Sequence, residues 1–138
     1  MQIMERINFT SKAIDIGIVT SNKDSMLNFY KNILGFTNEA QIPFPGLGTV
    51  NKFSYGVGFI KLLVLDNKPL NNNPIGDFST SNGIRYITIN LSNLDEIISI
   101  CNKNNITVVN PGVSIRPGVI IALIQDPDGN LIELMQTT

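Results

Sequence analysis

Four side chains capable of acid–base or ionic chemistry recur at a nearly constant spacing along the chain. Asp15 and Tyr86 are 71 residues apart, and Lys61 and Glu133 are 72 residues apart. A carboxylate at Glu133 could abstract a proton next to a carbonyl group, while Lys61 or Tyr86 stabilises the developing oxyanion. If the protein is an enzyme and its fold brings these side chains together, Glu133, Lys61 and Tyr86 are its candidate catalytic residues.

The 138-residue chain contains no histidine and only one cysteine, Cys101. Histidine is the side chain best suited to acid–base catalysis near neutral pH, and it is the commonest ligand of transition metals. Its absence excludes serine or cysteine triads with a histidine base and zinc sites of the Cys/His kind. Cys101 is predicted to be a buried helix residue, and a lone cysteine agrees with a reducing compartment.

The composition predicts a folded domain without affinity for nucleic acid or membranes. Hydrophobic residues make up 43% of the chain and charged residues 15%, and ten basic residues against eleven acidic ones give a net charge of -1. The basic residues are scattered, so no basic stripe is available to neutralise phosphates. Because Met1–Thr10 includes Glu5 and Arg6, no secretion signal is expected there, and we expect a cytoplasmic protein.

The first part of the chain, residues 13–65, is predicted to form a strand, a helix and three further strands. Alternating apolar residues begin the first strand at Ala13, and helical spacing follows from Asp24 or Ser25, as N-cap, to Gly35. Phe29 and Tyr30 lie on the apolar face of this helix and are predicted to be core residues.

The rest of the chain repeats this order after a polar interruption. Residues 66–82 are rich in Asn, Pro, Gly and Ser and are predicted to be a linker. Residues 83–136 restart with a strand, a helix capped by Asn93 and three strands, the last two joined by a turn at Asp126–Gly129. The sequence therefore predicts an internal duplication within one domain, residues 1–138, in which pairing of the halves completes a core that neither could form alone.

Two segments carry a resemblance to a known family. The segment IDIGIVTSNKDSMLNFYKNILGF and the closing segment DPDGNLIELMQ resemble the opening strand–helix and the last strand of the vicinal oxygen chelate superfamily. This superfamily includes glyoxalase I, bleomycin-resistance proteins, fosfomycin-resistance enzymes and extradiol dioxygenases. The resemblance implies an α+β fold in which two βαβββ modules form a curved mixed sheet shaped as a cup.

The resemblance also assigns positions in the cup. Metal-binding members hold a divalent ion with four residues, and the matching places here are Asp15, Lys61, Tyr86 and Glu133. Asp15 and Tyr86 replace histidines and Lys61 replaces a glutamate, so only Glu133 keeps the usual ligand type. Because an ammonium repels a divalent cation, this set favours a cup with no cofactor, although Asp15 and Glu133 leave a divalent metal possible. The same four residues could instead form a hydrogen-bonded polar cluster with no ligand.

Further side chains are candidates for contact with a ligand. Arg116 either reaches an anionic ligand or is solvated. An aromatic group either lines an apolar ligand wall or packs in the core. Its members are Phe44, Phe53, Tyr55 and Phe59.

Three functions fit these observations. The first is a metal-free protein that binds a small molecule, an antibiotic or a metabolite, as the bleomycin-resistance branch does. The second is a divalent-metal-dependent lyase, isomerase or transferase of the glyoxalase I type. The third is a non-catalytic domain that binds a partner through the same surface. The resemblance also implies a homodimer, because two chains often complete each other's cups in this superfamily.

Overall fold

The computed structural model describes residues 6–138 and contains two modules with the same order of elements. Residues 1–5, part of the segment in which no secretion signal was expected, lie outside the described residues. The first module consists of β1 (Ile16–Thr20), α1 (Lys23–Asn28), a π-helical turn (Phe29–Ile33), β2 (Thr37–Phe44), β3 (Gly48–Ser54) and β4 (Phe59–Leu65). The second consists of β5 (Tyr86–Asn90), α2 (Leu94–Lys103), β6 (Val108–Arg116), β7 (Val119–Gln125) and β8 (Leu131–Thr137).

Each module contains one four-stranded mixed sheet with the same strand order. The order is β1-β4-β3-β2 in the first sheet and β5-β8-β7-β6 in the second, and the first and last strands of each module pair in parallel. Gly17 pairs with Lys61 in one sheet and Thr88 with Glu133 in the other. The predicted repeat and the predicted α+β class are therefore confirmed.

The helices cover one face of both sheets and share a single core. Strand residues that alternate towards the helices are buried, whereas their neighbours on the opposite face stay partly exposed. The core includes residues of both modules, so each module buries its apolar side chains against the other. Its members include Met26, Phe29, Tyr30, Phe53, Leu62, Ile98, Cys101, Ile124, Ile132 and Leu134.

Several boundaries differ from the sequence prediction. The first strand begins at Ile16 and not at Ala13, so Asp15 precedes the strand. The first helix begins at Lys23, with Asn22 in place of Asp24 or Ser25 at the N-cap. The Asn22 carbonyl accepts the first helical hydrogen bond, from the Met26 backbone, while its side-chain amide donates to Asp128 of the second module. No helix of the described residues is long and apolar enough to cross a membrane.

The predicted linker has no helix or strand, yet side-chain contacts order it. The guanidinium of Arg85 donates hydrogen bonds to the carbonyl oxygens of Pro74 and Asp77 and to the hydroxyl of Thr80. The side-chain amide of Asn73 donates to the Asp128 carbonyl. The loop is therefore attached to the second module. The predicted boundaries at residues 65, 82 and 136 stay a prediction.

A polar junction joins the two modules at the turn between β7 and β8. Tyr30 is fully buried, and its hydroxyl donates a 2.7 Å hydrogen bond to Oδ2 of buried Asp126. Asn130 also donates to this carboxylate from its side chain and its backbone, and the Asp128 backbone donates as well. The second carboxylate of the turn belongs to Asp128, and it accepts hydrogen bonds from the Thr20 hydroxyl and the Asn22 side-chain amide. Residues 127–129 form the predicted turn, and this turn also connects the modules.

Burial is the largest influence on the pKa values of Asp126 and Tyr30 at this junction. It raises the pKa of Asp126 above its ordinary value, although hydrogen bonds from Asn130 and Tyr30 act in the opposite direction. Burial, together with the nearby Asp126 charge, raises the pKa of Tyr30 well above its ordinary value. Tyr30 therefore remains a neutral donor throughout the physiological range.

Replacing Tyr30 by phenylalanine tests the junction. We expect Y30F to lower the free energy of unfolding by about 1–3 kcal/mol, because a buried carboxylate loses a donor. The hydrogen bond lowers the pKa of Asp126 in the folded protein, so this loss should grow as pH rises through that pKa and shrink in acid. Urea unfolding at several pH values measures it. Y55F, at a half-exposed tyrosine, is the control and should change stability by less than about 0.5 kcal/mol. Equal effects of the two variants would contradict the proposed role of the junction.

Candidate functional site

Asp15 and Lys61 form an ion pair on the face of the first sheet that lies opposite the core. Lys61 is directed to this face because its neighbours Ile60 and Leu62 in β4 are buried against the helices. Its Nζ lies 3.3 Å from Oδ2 of Asp15, and both side chains are about two-fifths exposed (43% and 37%). Oδ1 of Asp15 accepts a hydrogen bond from the Phe59 backbone, which fixes the carboxylate beside β4.

Glu133 and Tyr86 lie on the corresponding face of the second sheet. Oε1 of Glu133 accepts a 2.9 Å hydrogen bond from the Thr88 hydroxyl, its register partner across β5 and β8. The Tyr86 ring is half-exposed and contacts the Phe78 ring, with 4.6 Å between centroids. Phe78 is a candidate that the sequence interpretation missed. The only signal for it was an isolated aromatic residue within a polar linker.

The four predicted positions thus form two pairs, one on each sheet. Among residues 6–138, no hydrogen bond or ion pair joins Lys61 or Asp15 to Glu133 or Tyr86. Lys61, Asp15 and Glu133 each have a polar partner within their own module. The strand faces that carry them are partly exposed, as the accessible fractions of Lys61, Asp15 and Tyr86 show. Two clefts beside the helices contain none of the four residues.

The aromatic candidates separate onto the two faces of the first sheet. Phe59 shares the face of Lys61, and the Lys52 ammonium lies 4.2 Å from the centre of its ring. Phe44 and Tyr55 are about half-exposed near strand ends. Phe53 is fully buried and packs near Tyr30 in the core, with 6.4 Å between the ring centres. Strand alternation explains this, because Phe53 follows Lys52 directly.

Two other polar or reactive candidates have simple environments. Arg116 is exposed at the end of β6, where its guanidinium is solvated and available to an anion. Cys101 is fully buried in α2, and burial raises the pKa of its thiol. A thiol with these properties is a poor nucleophile, and the predicted buried position of Cys101 is confirmed.

The residues at the predicted metal positions do not fit a divalent ion. Among residues 6–138, no group of three or more His, Cys, Asp or Glu side chains is arranged to hold one. The Lys61 ammonium lies against Asp15, so a cation bound by that carboxylate would face a positive charge. Glu133 supplies one carboxylate on the other sheet, and its partner there is a hydroxyl.

Comparisons with known proteins agree with this fold. A glyoxalase family protein from Bacillus cereus has a TM-score of 0.81 at 16% identity over 98% of this chain and 99% of its own. TnmS3, an antibiotic binding protein from Streptomyces sp. CB03234, has a TM-score of 0.69 at 18% identity over 96% and 100%. The glyoxalase I of Leishmania major has a TM-score of 0.65 at 19% identity over 88% and 84%.

These similarities concern the fold, and sequence comparison supplies the family. No protein of curated function matches the sequence. The model of the Glyoxalase/Bleomycin resistance protein/Dioxygenase superfamily matches residues 11–134, which include both modules. The chain therefore belongs to the Glyoxalase/Bleomycin resistance protein/Dioxygenase superfamily.

Proposed function

We propose that this protein binds a small organic molecule, an antibiotic or a metabolite, on the open strand faces of its two sheets without a transition metal. The observation that carries the proposal is the ion pair between Lys61 and Asp15, since it puts an ammonium group where metal-binding relatives are expected to have a ligand. A fixed positive charge supplies the electrostatic attraction that a metal would otherwise provide. Similarity to the antibiotic binding protein TnmS3 gives further support.

The binding surface in this proposal combines both pairs. Lys61 and Glu133 offer a donor and an acceptor, and Tyr86 together with Phe78 offers an aromatic surface. The remaining members of the surface are Asp15, Phe44, Tyr55, Phe59 and Arg116. A cytoplasmic location fits the single, unpaired cysteine of the chain and is part of the proposal.

A second copy of the chain is the proposed cover of these faces. The half-exposed strand residues on them include large apolar groups, such as Val19, which is 57% exposed. The two faces also differ in charge, because the first carries Lys52 and Lys61 beside one carboxylate and the second carries Glu133. Pairing of unlike faces from two copies would bury apolar surface and match these charges.

Sedimentation velocity tests the proposed homodimer. We expect the wild type to sediment as a dimer at micromolar concentration. V19K should raise the dimer dissociation constant at least about tenfold, because it would bury an unpaired charge in the interface. L70K makes the same change at a fully exposed loop position and should leave the dimer intact. A monomeric wild type would contradict this part of the proposal.

The alternative is a metal-dependent lyase, isomerase or transferase of the glyoxalase I type. The similarity to the glyoxalase I of Leishmania major and the surface position of Glu133 favour it. In that case Glu133 would act as a base or a ligand, and Asp15 would need to leave Lys61. Metal content separates this alternative from the main proposal.

Reversal of the charge at Lys61 tests the metal-free proposal. We expect wild-type protein purified without chelator to contain far less than one metal ion per chain. K61E places a second carboxylate beside Asp15, so its Kd for Mn²⁺ should fall at least about tenfold, as one extra oxygen ligand implies. Elemental analysis and calorimetry measure both quantities, and K103E on exposed α2 surface is the control. Near-stoichiometric metal in the wild type, with activity lost on chelation, would establish the alternative.

A thermal-shift screen in excess chelator tests ligand binding directly. The panel contains bleomycin, other antibiotics and common metabolites. We expect at least one compound to raise the melting temperature of the wild type in a saturable manner. K61E should lose this effect and K103E should keep it. Absence of any stabilising compound, together with binding of a protein partner, would instead support a non-catalytic partner-binding domain.

A further inference from the structure

Two lysines lie directly opposite each other on the first sheet. Lys52 of β3 and Lys61 of β4 are register partners in an antiparallel pair. Side chains of such partners point to the same face of a sheet at short distance. Like charges in this arrangement lower the stability of the fold, unless a negatively charged group binds between them and offsets the repulsion.

The surroundings hold the two ammonium groups without neutralising both. Asp15 pairs with Lys61, whereas the Lys52 ammonium lies over the Phe59 ring, 4.2 Å from its centre. Strands β1, β3 and β4 contain no Asp or Glu. The nearest strand, β2, supplies only Glu39 at a bulge, and among residues 6–138 the Asp15–Lys61 pair is the one ion pair formed. Within residues 6–138 the Lys52 ammonium therefore has no ion-pair partner.

This charge lies beside apolar surface, which indicates the kind of ligand that fits. We propose that Lys52 and Lys61 form an anion subsite for the carboxylate or phosphate group of the ligand, with the Phe59 ring contacting its carbon skeleton. This inference rests on the proposed small-molecule function and names the ligand class as an organic anion. Charge-assisted hydrogen bonds from two ammonium groups are among the strong contacts available to an oxyanion.

Glu133 of a second copy is the competing partner for these lysines. Its Oε1 already accepts from Thr88, which leaves one carboxylate oxygen for another donor. If it neutralised Lys52, the subsite would be closed and small anions would not bind. The experiment therefore has to distinguish a small anion from a second copy.

Titration of the full-length protein with phenyl phosphate, followed by amide NMR shifts, tests the subsite. We expect saturable shifts at the amides of Lys52, Phe59 and Lys61, and none with phenol, which has the same ring without the charge. Benzoate forms a second arm, and the anion that saturates at lower concentration identifies the preferred group. K52Q should weaken binding about fivefold or more, the loss expected for one charge-assisted contact.

A matched control completes the test. K68Q removes the same charge from an exposed loop lysine and should bind within about twofold of the wild type. Equal shifts from phenyl phosphate and phenol, or wild-type binding by K52Q, would overturn the subsite. So would tighter dimerisation of the wild type than of K52Q without any anion binding, which would assign the lysines to a second copy.

The two proposals fail in different ways. If the chelator-treated protein binds neutral compounds from the panel but no anion, the small-molecule function stands and the anion subsite is wrong. If no compound of any charge binds and metal is present, the proposed function itself is wrong.

Discussion

One helix can cover only one face of a four-stranded sheet, and this limit shapes the whole molecule. Each module has the sheet but too few helical residues to bury both of its faces. Joining the modules lets their helices and inner strand faces share one core, which neither half has enough apolar surface to complete by itself. The outer faces remain open as a direct result, and all four predicted site positions lie there.

The buried turn at Asp126 is what holds the modules in a defined arrangement. Apolar packing is tolerant of small rotations, whereas a buried carboxylate must keep its donors. The donor from Tyr30 crosses between the modules, and those from Asn130 and Asp128 shape the turn itself. The neighbouring carboxylate of Asp128 accepts hydrogen bonds from Thr20 at the end of β1 and from Asn22 just before α1, so it connects the modules at a second point.

Local patterns in the sequence predicted the elements well, because strand alternation and helical spacing are properties of neighbouring residues. The 71- and 72-residue spacings predicted the duplication, and the same spacings relate the register pairs Gly17–Lys61 and Thr88–Glu133. Contacts between residues far apart in the sequence were harder to predict. Nothing near Tyr30 in the sequence indicates that its hydroxyl binds Asp126, 96 residues away. For Phe53 the sequence left a ligand wall and core packing open, and its side chain lies in the core, as alternation with Lys52 requires.

Because the two repeats have diverged, the two ends of the open surface carry different side chains. One loop connects the modules, and its Phe78 contacts Tyr86, whereas Asp15 at the equivalent place in the first module pairs with a lysine. The duplicated halves thus no longer present equivalent chemistry: the first carries two lysines beside Asp15 and Phe59, and the second carries Glu133 beside Tyr86. A symmetric molecule would match only one of these ends. A ligand of the proposed kind would therefore meet different chemistry at its two ends and be held in a single orientation.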